Sequence, residues 1–248
     1  MSDTVPMSWL VYCRPGFEND ALAEMQHHAQ QLGVPCDPVR GEGWVSVTRQ
    51  DGEAINDLHR QAAFKRLIFA RQSLAALPAL TLSRDERLTA ILEQIKASRW
   101  SFEEIWHETP DTNEGKALAG LIKALTKPLQ SMLKKRGALR GKAGGRRLHV
   151  FWTDGDRVQL GMSFPDNRSE LINGIRRLRF PSRAPRRSTL KLEEAWHEFI
   201  PRDEWEERLA AHMQAADLGA APGGWTWQLV QRGMYVYAID NGPMDKQL

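Results

Sequence analysis

Cysteine is scarce in this sequence, which holds only Cys13 and Cys36 in 248 residues. Two cysteines are too few for the disulfide framework of a small secreted domain, and their spacing is not that of a metal site. The N-terminal residues 1–6 lack the charged and apolar regions of a secretory signal, and the longest apolar stretches, such as 75–82, are too short to span a membrane. We therefore expect a cytoplasmic protein with reduced thiols and no metal centre.

Length and composition predict more than one globular domain, because 248 residues exceed the usual ~100–150 per domain and 42% hydrophobic residues can fill cores. Periodicity divides the first 75 residues into an α+β layer of split βαβ type. Its predicted elements are strands at 7–12, 43–48 and 67–71 and helices at 17–32 and 51–61, with Gly33 ending the first helix. A linker at Leu77-Pro78 follows.

A second αβ segment follows this linker. Its predicted elements are a helix at 84–98, a strand at 102–108, helical segments at 113–136 and a hairpin of strands 148–153 and 157–163. Pro128 is expected to start a new helix, and Asp154-Gly155 is a tight-turn signal for the hairpin. Trp100, Trp106 and Trp152 could stack on nucleic-acid bases, although large aromatic residues at alternating strand positions usually belong to the core.

Positive charge is concentrated in the middle of the chain. Residues 134–187 hold 15 basic and 4 acidic side chains, whereas the whole chain has a formal net charge of only +3. Such a block repels itself unless an anionic partner neutralises it, and guanidinium groups suit phosphate, so we predict nucleic-acid binding. A solvated basic surface is the alternative. The candidate residues are Lys134, Lys135, Arg136, Arg140, Lys142, Arg146, Arg147, Arg176, Arg177, Arg186 and Arg187.

The most informative motif is a glycine-rich turn, D-L-G-A-A-P-G-G-W, at residues 217–225. The predicted elements around it are strands at 213–218 and 235–239 and a helix at 226–233. Asp240 ends the second strand 23 residues after Asp217, about where a ribose-binding acid lies in a βαβ cofactor fold. The turn lacks the spacing of dinucleotide and triphosphate sites, so an uncharged adenosine cofactor fits better. Small residues that serve only packing are the alternative.

This motif, followed by an apolar strand and an aspartate, resembles the S-adenosylmethionine site of the ribosomal-RNA 2′-O-ribose methyltransferases. Upstream, residues 184–195 resemble the lysine-bearing helix of that family, with Lys191 as the lysine. Segments 13–18, 111–114 and 240–244 extend the resemblance over nearly the whole chain.

The resemblance implies methylation of the ribose 2′-hydroxyl of one cytidine in bacterial 23S rRNA, with S-adenosyl-L-methionine as cofactor. It implies an α/β and α+β fold with a ferredoxin-like domain at 1–75, a THUMP RNA-binding domain at 76–170, a basic linker at 171–187 and an incomplete Rossmann-like methyltransferase domain at 188–248. Lys191 is the implied catalytic residue. The implied cofactor-binding residues are Ser188, Ala221, Pro222, Gly223, Gly224 and Asp240.

Without the resemblance, the residues around Lys191 have a simpler interpretation. Ser188 is placed to cap a helix over 189–199, and Lys191 is then an ordinary exposed helix lysine. The resemblance adds that Lys191 positions the ribose or activates its hydroxyl group.

The chain ends at Leu248, shortly after the second predicted strand of a sheet that should have about six or seven. The family uses a Lys-Asp-Lys-Glu tetrad, of which only the first member has a counterpart, Lys191. We therefore expect a truncated and inactive chain. We also expect a monomer. The alternative function is an RNA-binding module with a vestigial methyltransferase segment, which cofactor binding would distinguish. A protein that binds partners through an open strand edge is a third possibility.

Overall fold

The computed structural model describes residues 7–49, 52–141 and 145–246. They belong to two compact units, which we call the N-terminal unit (Met1–Ile175) and the C-terminal unit (Arg176–Leu248). Both combine helices with strands, which confirms the predicted mixed class. The strands of the N-terminal unit are β1 (Ser8–Tyr12), β2 (Asp37–Gly41), β3 (Trp44–Thr48), β4 (Gln72–Ala76), β5 (Leu80–Thr81), β6 (Glu104–Glu108), β7 (Arg147–Trp152) and β8 (Arg157–Ser163). Its helices are α1 (Glu18–Gln31), α2 (Gly52–Gln61), α3 (Arg87–Ser98), α4 (Asn113–Ala117) and α5 (Ala119–Lys135).

Strand β1 is central to the first half of the N-terminal unit, and all its residues are buried. It pairs antiparallel with β3 on one side and β4 on the other, and β2 extends the order to β2-β3-β1-β4. Helix α1 buries Ala21, Met25 and Ala29, which lie on one face because they are four residues apart. This face joins one core with Trp9 and Val11 of β1. The resulting β-α-β-β-α-β layout is the ferredoxin-like arrangement that the resemblance implied.

Two strands of this sheet differ from prediction. The strand predicted at 67–71 is wrong, since β4 begins at Gln72 and Ile68 is 82% exposed. Strand β4 was not predicted because it begins with two polar residues, Gln72 and Ser73. Both form hydrogen bonds inside the fold: Gln72 donates to a backbone carbonyl, and Ser73 Oγ accepts the Trp9 indole N–H at 2.8 Å. Strand β2 has no counterpart among the predictions, because this edge strand is exposed along most of its length and shows no alternation.

The second half of the unit packs α3 and α5 against β6, β7 and β8. Leu92 of α3 and Leu133 of α5 are buried in one core with Leu148 and Val150 of β7. The predicted hairpin is confirmed, because β7 and β8 pair antiparallel from Arg147↔Ser163 to Trp152↔Val158.

Helix α5 passes through Pro128, so the prediction that this proline starts a new helix is wrong. A proline inside a helix removes one backbone hydrogen bond. Leu129 and Leu133 are fully buried immediately after it, and their packing outweighs the local cost.

The two halves share one sheet. Strand β4 pairs antiparallel with β8 through Ala75↔Met162 and Ala76↔Gly161, so the order becomes β2-β3-β1-β4-β8-β7-β6, with β5 also paired to β8. A Cβ on Gly161 would lie 2.9 Å from Cδ1 and 3.0 Å from Cβ of Leu74, so a side chain here would force one of the two strands or Leu74 to shift. The boundary predicted between residues 75 and 76 falls inside β4.

The elements of the C-terminal unit are α6 (Ser188–Phe199), α7 (Trp205–Arg208), β9 (Gln214–Leu218), α8 (Gly224–Gln231) and β10 (Tyr235–Ile239). Strands β9 and β10 pair in parallel with α8 between them in the chain, which confirms the predicted strand, turn, helix, strand order. Trp196, Trp205, Leu209 and Met234 form the core of this unit. Across the described ranges, no helix has the length and apolarity needed to cross a membrane.

Candidate functional site

A cleft of about 260 Å³ lies in the C-terminal unit where β9 turns into α8. Ser188 and Lys191 of α6 contribute to its lining, together with residues 217–221 of the glycine-rich turn. Gly224 and Trp225 at the start of α8 complete it. The fold therefore brings the lysine-bearing helix and the glycine-rich turn to the same cleft.

Glycines determine the backbone shape of this cleft. Gly219 and Gly223 have φ angles of 78° and 109°, conformations that residues with a side chain rarely adopt. A Cβ on Gly224 would overlap Ser188 Oγ, so α6 and α8 approach closely only because that position is glycine. The turn thus exposes backbone that a ligand can approach, as expected for a cofactor turn.

Asp240 joins the end of β10 to this turn. One of its carboxylate oxygens accepts the backbone N–H of Ala221 at 2.8 Å, and the other accepts that of Gly242 at 2.7 Å. These backbone N–H groups hold the pKa of the Asp240 carboxyl below its usual value. The side chain is exposed, and a carboxylate has about four acceptor positions, so both oxygens can still accept hydrogen bonds from a ligand.

Five residues of the motif that line the cleft are absent from the predicted set, namely residues 217–220 and Trp225, and two of them make side-chain hydrogen bonds. Asp217 is only 5% exposed and accepts the Thr226 hydroxyl at 2.7 Å, which fixes its carboxylate. Trp225 donates its indole N–H to the Ser188 carbonyl at 3.1 Å and so links α8 to α6. The sequence signal for them was their position at the two ends of the turn.

The remaining predicted residues lie in or beside the cleft. Lys191 is exposed there, and Ser188 is half-buried. The prediction that Ser188 caps α6 is wrong, because Ser188 is the first helical residue, Arg187 holds the cap position and no side chain caps the helix. Pro222 accepts the backbone N–H of Asp245 at 2.9 Å through its carbonyl, and Gly223 is buried before α8.

Several basic residues predicted to bind nucleic acid are exposed at the end of α5 or just after it. These are Lys134, Lys135, Arg136 and Arg140. Arg136 forms an ion pair with Glu93 at 3.1 Å, and the half-buried Arg146 donates to Ser101 Oγ at 2.9 Å. Lys142 lies outside the described residues. This part of the N-terminal unit is therefore a basic surface.

Arg147 does not belong to that surface. Its side chain is 2% exposed and pairs with Glu104 at 2.7 Å and Glu170 at 2.6 Å. Its guanidinium carbon lies 3.3 Å from the centre of the Trp106 ring. With its charge neutralised and its planar face covered, Arg147 cannot meet a phosphate, and the prediction for this residue conflicts with the structure. Trp152 is fully buried, as expected of a core residue.

A second group of basic residues precedes α6 in the C-terminal unit. Arg177, Arg186 and Arg187 are exposed, whereas Arg176 is half-buried. They continue along the chain into the helix that carries Lys191. Within the described parts of the chain, we find no group of three or more His, Cys, Asp or Glu side chains that could hold a metal ion.

Comparison with known families gives three matches that cover most of the chain. Residues 7–74 match the RlmM ferredoxin-like domain, and residues 86–164 match the N-terminal region of ribosomal RNA large subunit methyltransferase M. Residues 184–248, which contain the cleft, match the FtsJ-like methyltransferases. The site therefore lies in a domain of the methyltransferase class.

Curated relatives named ribosomal RNA large subunit methyltransferase M extend this similarity. The protein from Chromohalobacter salexigens is 64% identical over 98% of this chain and 69% of its own length. The protein from Marinomonas sp. is 48% identical over 96% of this chain and 69% of its own length. The protein from Photobacterium profundum is 45% identical, with coverages of 96% and 68%. The chain belongs to the ribosomal RNA large subunit methyltransferase M family.

These comparisons confirm the resemblance found in the sequence. They give no support to a vestigial methyltransferase segment, because residues 184–248 match the FtsJ-like methyltransferases. The expectation of a truncated, inactive chain receives no support from them either, although the matched part is 68–69% of the relatives' own length.

Proposed function

We propose that this protein acts in the S-adenosylmethionine-dependent methylation of the ribose 2′-hydroxyl of a cytidine in 23S rRNA. The observation that carries the proposal is the meeting of Lys191, Ser188 and the D-L-G-A-A-P-G-G-W turn in one cleft, inside the segment similar to FtsJ-like methyltransferases. A cytoplasmic, monomeric protein that needs no metal is proposed with it.

The residues of the cleft fit an adenosine cofactor. Gly219, Gly223 and Gly224 leave the backbone open to close approach, and Asp240 supplies carboxylate oxygens for ribose hydroxyls at the end of β10. Ser188 of α6 also lines the cleft, where its hydroxyl can contact the polar end of the ligand. A volume of about 260 Å³ is below the ~300–1,000 Å³ of most small-molecule sites, so these residues hold part of the cofactor.

When bound, S-adenosylmethionine supplies a methyl group on a positively charged sulfur. The protein must hold the ribose oxygen in line with that group and assist the loss of the hydroxyl proton. Lys191 is exposed in the cleft, so its ammonium can reach a ribose hydroxyl and stabilise negative charge that develops on the oxygen. We propose this positioning and electrostatic role for Lys191.

The N-terminal unit is the proposed RNA-binding part, and residues 76–170 are the proposed THUMP domain within it. Lys134, Lys135 and Arg140 are exposed within seven residues of the chain and fit phosphate groups. Such contacts give affinity and register rather than choice of nucleotide. The exposed Arg177, Arg186 and Arg187 extend the proposed RNA contact to the C-terminal unit.

Calorimetric titration of S-adenosylmethionine tests the cofactor site. We expect saturable binding to the wild-type chain and binding at least about 10-fold weaker for Asp240→Ala, because the variant loses the charge-assisted hydrogen bonds to the ribose hydroxyls. Asp203→Ala removes an exposed carboxylate outside the cleft and is expected to bind like wild type. The absence of binding, or equal binding by all three proteins, would overturn the proposed site.

Transfer of a labelled methyl group to 23S rRNA, followed by nuclease digestion, tests the reaction. The expected product is 2′-O-methylcytidine, and its formation should fall strongly in Lys191→Met while cofactor affinity stays unchanged. Lys191→Arg keeps the charge and should retain more activity. A methyl group on a base, or on a nucleotide other than cytidine, would contradict the proposal. Methyl transfer that does not depend on Lys191 would contradict its role.

Neutralising the basic surface tests RNA binding. The triple variant Lys134→Gln, Lys135→Gln and Arg140→Gln should bind 23S rRNA fragments more weakly, and the slope of log affinity against log salt should fall by about 2–3, close to one for each phosphate that is no longer neutralised. Lys123→Gln and Lys127→Gln on the same helix serve as controls. An unchanged salt slope in the triple variant would exclude these residues from the interface.

A further inference from the structure

The N-terminal unit contains a second cavity, of about 520 Å³, between the ends of α3 and α5. Its floor is apolar and comprises Leu92 and Ile95 of α3 and Leu133 of α5, all buried. Trp100 and Ser101, in the segment between α3 and β6, also line it. Its volume falls in the range of about 300–1,000 Å³ that is typical for small-molecule sites, so one nucleotide-sized group can enter.

The rim of this cavity is basic. Lys96, Arg99 and Arg136 line it, and all three side chains are exposed. Glu93 pairs with Arg136 at 3.1 Å and with Lys96 at 3.7 Å, so these two cations share one carboxylate and together with it carry a net positive charge. An anionic group is the complementary ligand.

Position also connects the cavity to the rest of the basic surface. Arg136 follows Lys134 and Lys135 at the end of α5, and Arg146 donates to Ser101, which lines the cavity. A polyanion that lies along the basic surface therefore passes the mouth of the cavity. The apolar floor matches a flat nucleotide base, and the basic rim matches a charged phosphate group.

Trp100 provides the aromatic surface. It is half-buried, and its ring stands at 87° to that of Phe102, with 5.9 Å between the ring centres. The buried Phe102 therefore packs against Trp100 and helps to fix its ring. Unpaired RNA bases are commonly bound by stacking on aromatic rings or on guanidinium planes.

We propose that this cavity binds one unpaired nucleotide of an RNA strand, with the base against Trp100 and the apolar floor and the phosphate at Lys96, Arg99 and Arg136. A base-paired nucleotide cannot enter, because its base edge and faces are occupied by the duplex. The inference rests on the proposed RNA-binding function and adds to it a preference for a single-stranded or extruded nucleotide.

Fluorescence anisotropy with a labelled 10-nucleotide cytidine-rich RNA, and with a duplex of the same length, tests the proposal. In Trp100→Ala, binding of the single strand should weaken about 5- to 100-fold, the usual effect of removing one stacked aromatic ring, while duplex binding stays within about 2-fold of wild type. Lys96→Gln changes a side chain that is 71% exposed and should fold normally. It should weaken single-strand binding and lower the salt slope by about 0.7.

Lys123→Gln is the matched control, since it removes an exposed lysine of α5 that does not line the cavity. If the wild-type chain binds neither RNA, the proposed function fails together with this inference. If it binds RNA but Lys96→Gln and Trp100→Ala behave like the control, only this inference is overturned. Equal weakening for single strand and duplex would also overturn it, because it would show a general phosphate surface. The Lys96 variant alone decides the result if Trp100→Ala does not fold.

Discussion

The carboxylate of Glu108 lies 2.6 Å from Nδ1 of His149, and both side chains are completely buried in the N-terminal unit. The same carboxylate accepts the Tyr12 hydroxyl at 3.0 Å and the backbone N–H of Asn173 at 2.8 Å, and His149 Nε2 contacts Ser163 Oγ at 2.7 Å. Burial and the charge of Glu108 raise the pKa of Tyr12 well above its usual value, so its hydroxyl stays a donor. These hydrogen bonds connect the ends of β1, β6 and β8 to His149 in β7.

Replacing this carboxylate should destabilise the N-terminal unit. Glu108→Gln leaves one carbonyl oxygen where Tyr12, His149 and Asn173 all require acceptors, so we expect a loss of about 3 kcal/mol or more in the free energy of unfolding. Tyr12→Phe removes a single hydrogen bond and should cost about 1 kcal/mol. Urea unfolding of the three proteins measures both. A smaller loss for Glu108→Gln than for Tyr12→Phe would contradict this account.

Stability should depend on pH through His59. Burial lowers the pKa of this fully buried histidine to about 4 from 6.5, since only the Ser73 carbonyl, 3.3 Å from Nε2, favours its charged form. The unfolded chain therefore binds a proton that the folded chain does not, and stability should fall as pH drops from about 6.5 to about 4. The loss amounts to about 3 kcal/mol across this window.

Urea unfolding at a series of pH values between 7.5 and 4 (roughly one unit apart) measures this dependence. His59→Phe should reduce the dependence without abolishing it, because burial also lowers the pKa of His107 to about 4. An identical pH dependence in wild type and His59→Phe would show that His59 is not responsible.

Gly161 at the junction of β4 and β8 should not tolerate a side chain. Gly161→Ala brings a methyl group within 2.9 Å of Leu74 Cδ1, and such overpacking typically costs about 1–3 kcal/mol. Gly120→Ala provides the control, because nothing lies within 4 Å of a Cβ there and alanine favours the helix by up to about 1 kcal/mol. Thermal unfolding should move the two variants in opposite directions. A stabilised Gly161→Ala would refute the close contact.

In the C-terminal unit, Gly224→Ala should impair cofactor binding through Ser188. The new methyl group overlaps Ser188 Oγ and pushes α6 away from α8. We expect S-adenosylmethionine affinity to drop by about 10-fold or more, equivalent to ~1.4 kcal/mol. Ser188→Ala removes the clashing atom, so the double variant should recover part of that loss. Additive losses would mean that Gly224 acts by another route.

Local signals predicted a large part of the fold. Residues 235–239 are β-branched or aromatic except for Ala238 and end at an aspartate, and β10 occupies these positions. The hairpin was predicted from Asp154-Gly155 between two apolar runs. Helix α1 was predicted from the helical spacing of its apolar residues, which are buried in the fold. In each case the information lies within a few residues of the chain.

The missed features depend on partners distant in the sequence. Gln72 and Ser73 enter a strand only because Ser169 and Trp9 satisfy them. Arg147 was predicted to bind nucleic acid because of its position in a basic run, but its side chain is buried and paired with Glu104 and Glu170. No local pattern records such pairs. In the cleft, the motif located the turn, but only the folded chain brings Asp217 to Thr226.

The shared sheet has a consequence for synthesis of the chain. Strands β4 and β8 are neighbours in space but are separated by residues 77–156, so the ferredoxin-like half leaves the ribosome with the β4 edge of its sheet unpaired. That edge exposes unpaired backbone groups until Ser163 has been made, and contacts between distant segments form slowly. During this interval β4 of the nascent protein can pair with a strand of another chain. Pairing of β8 with β4 ends this exposure.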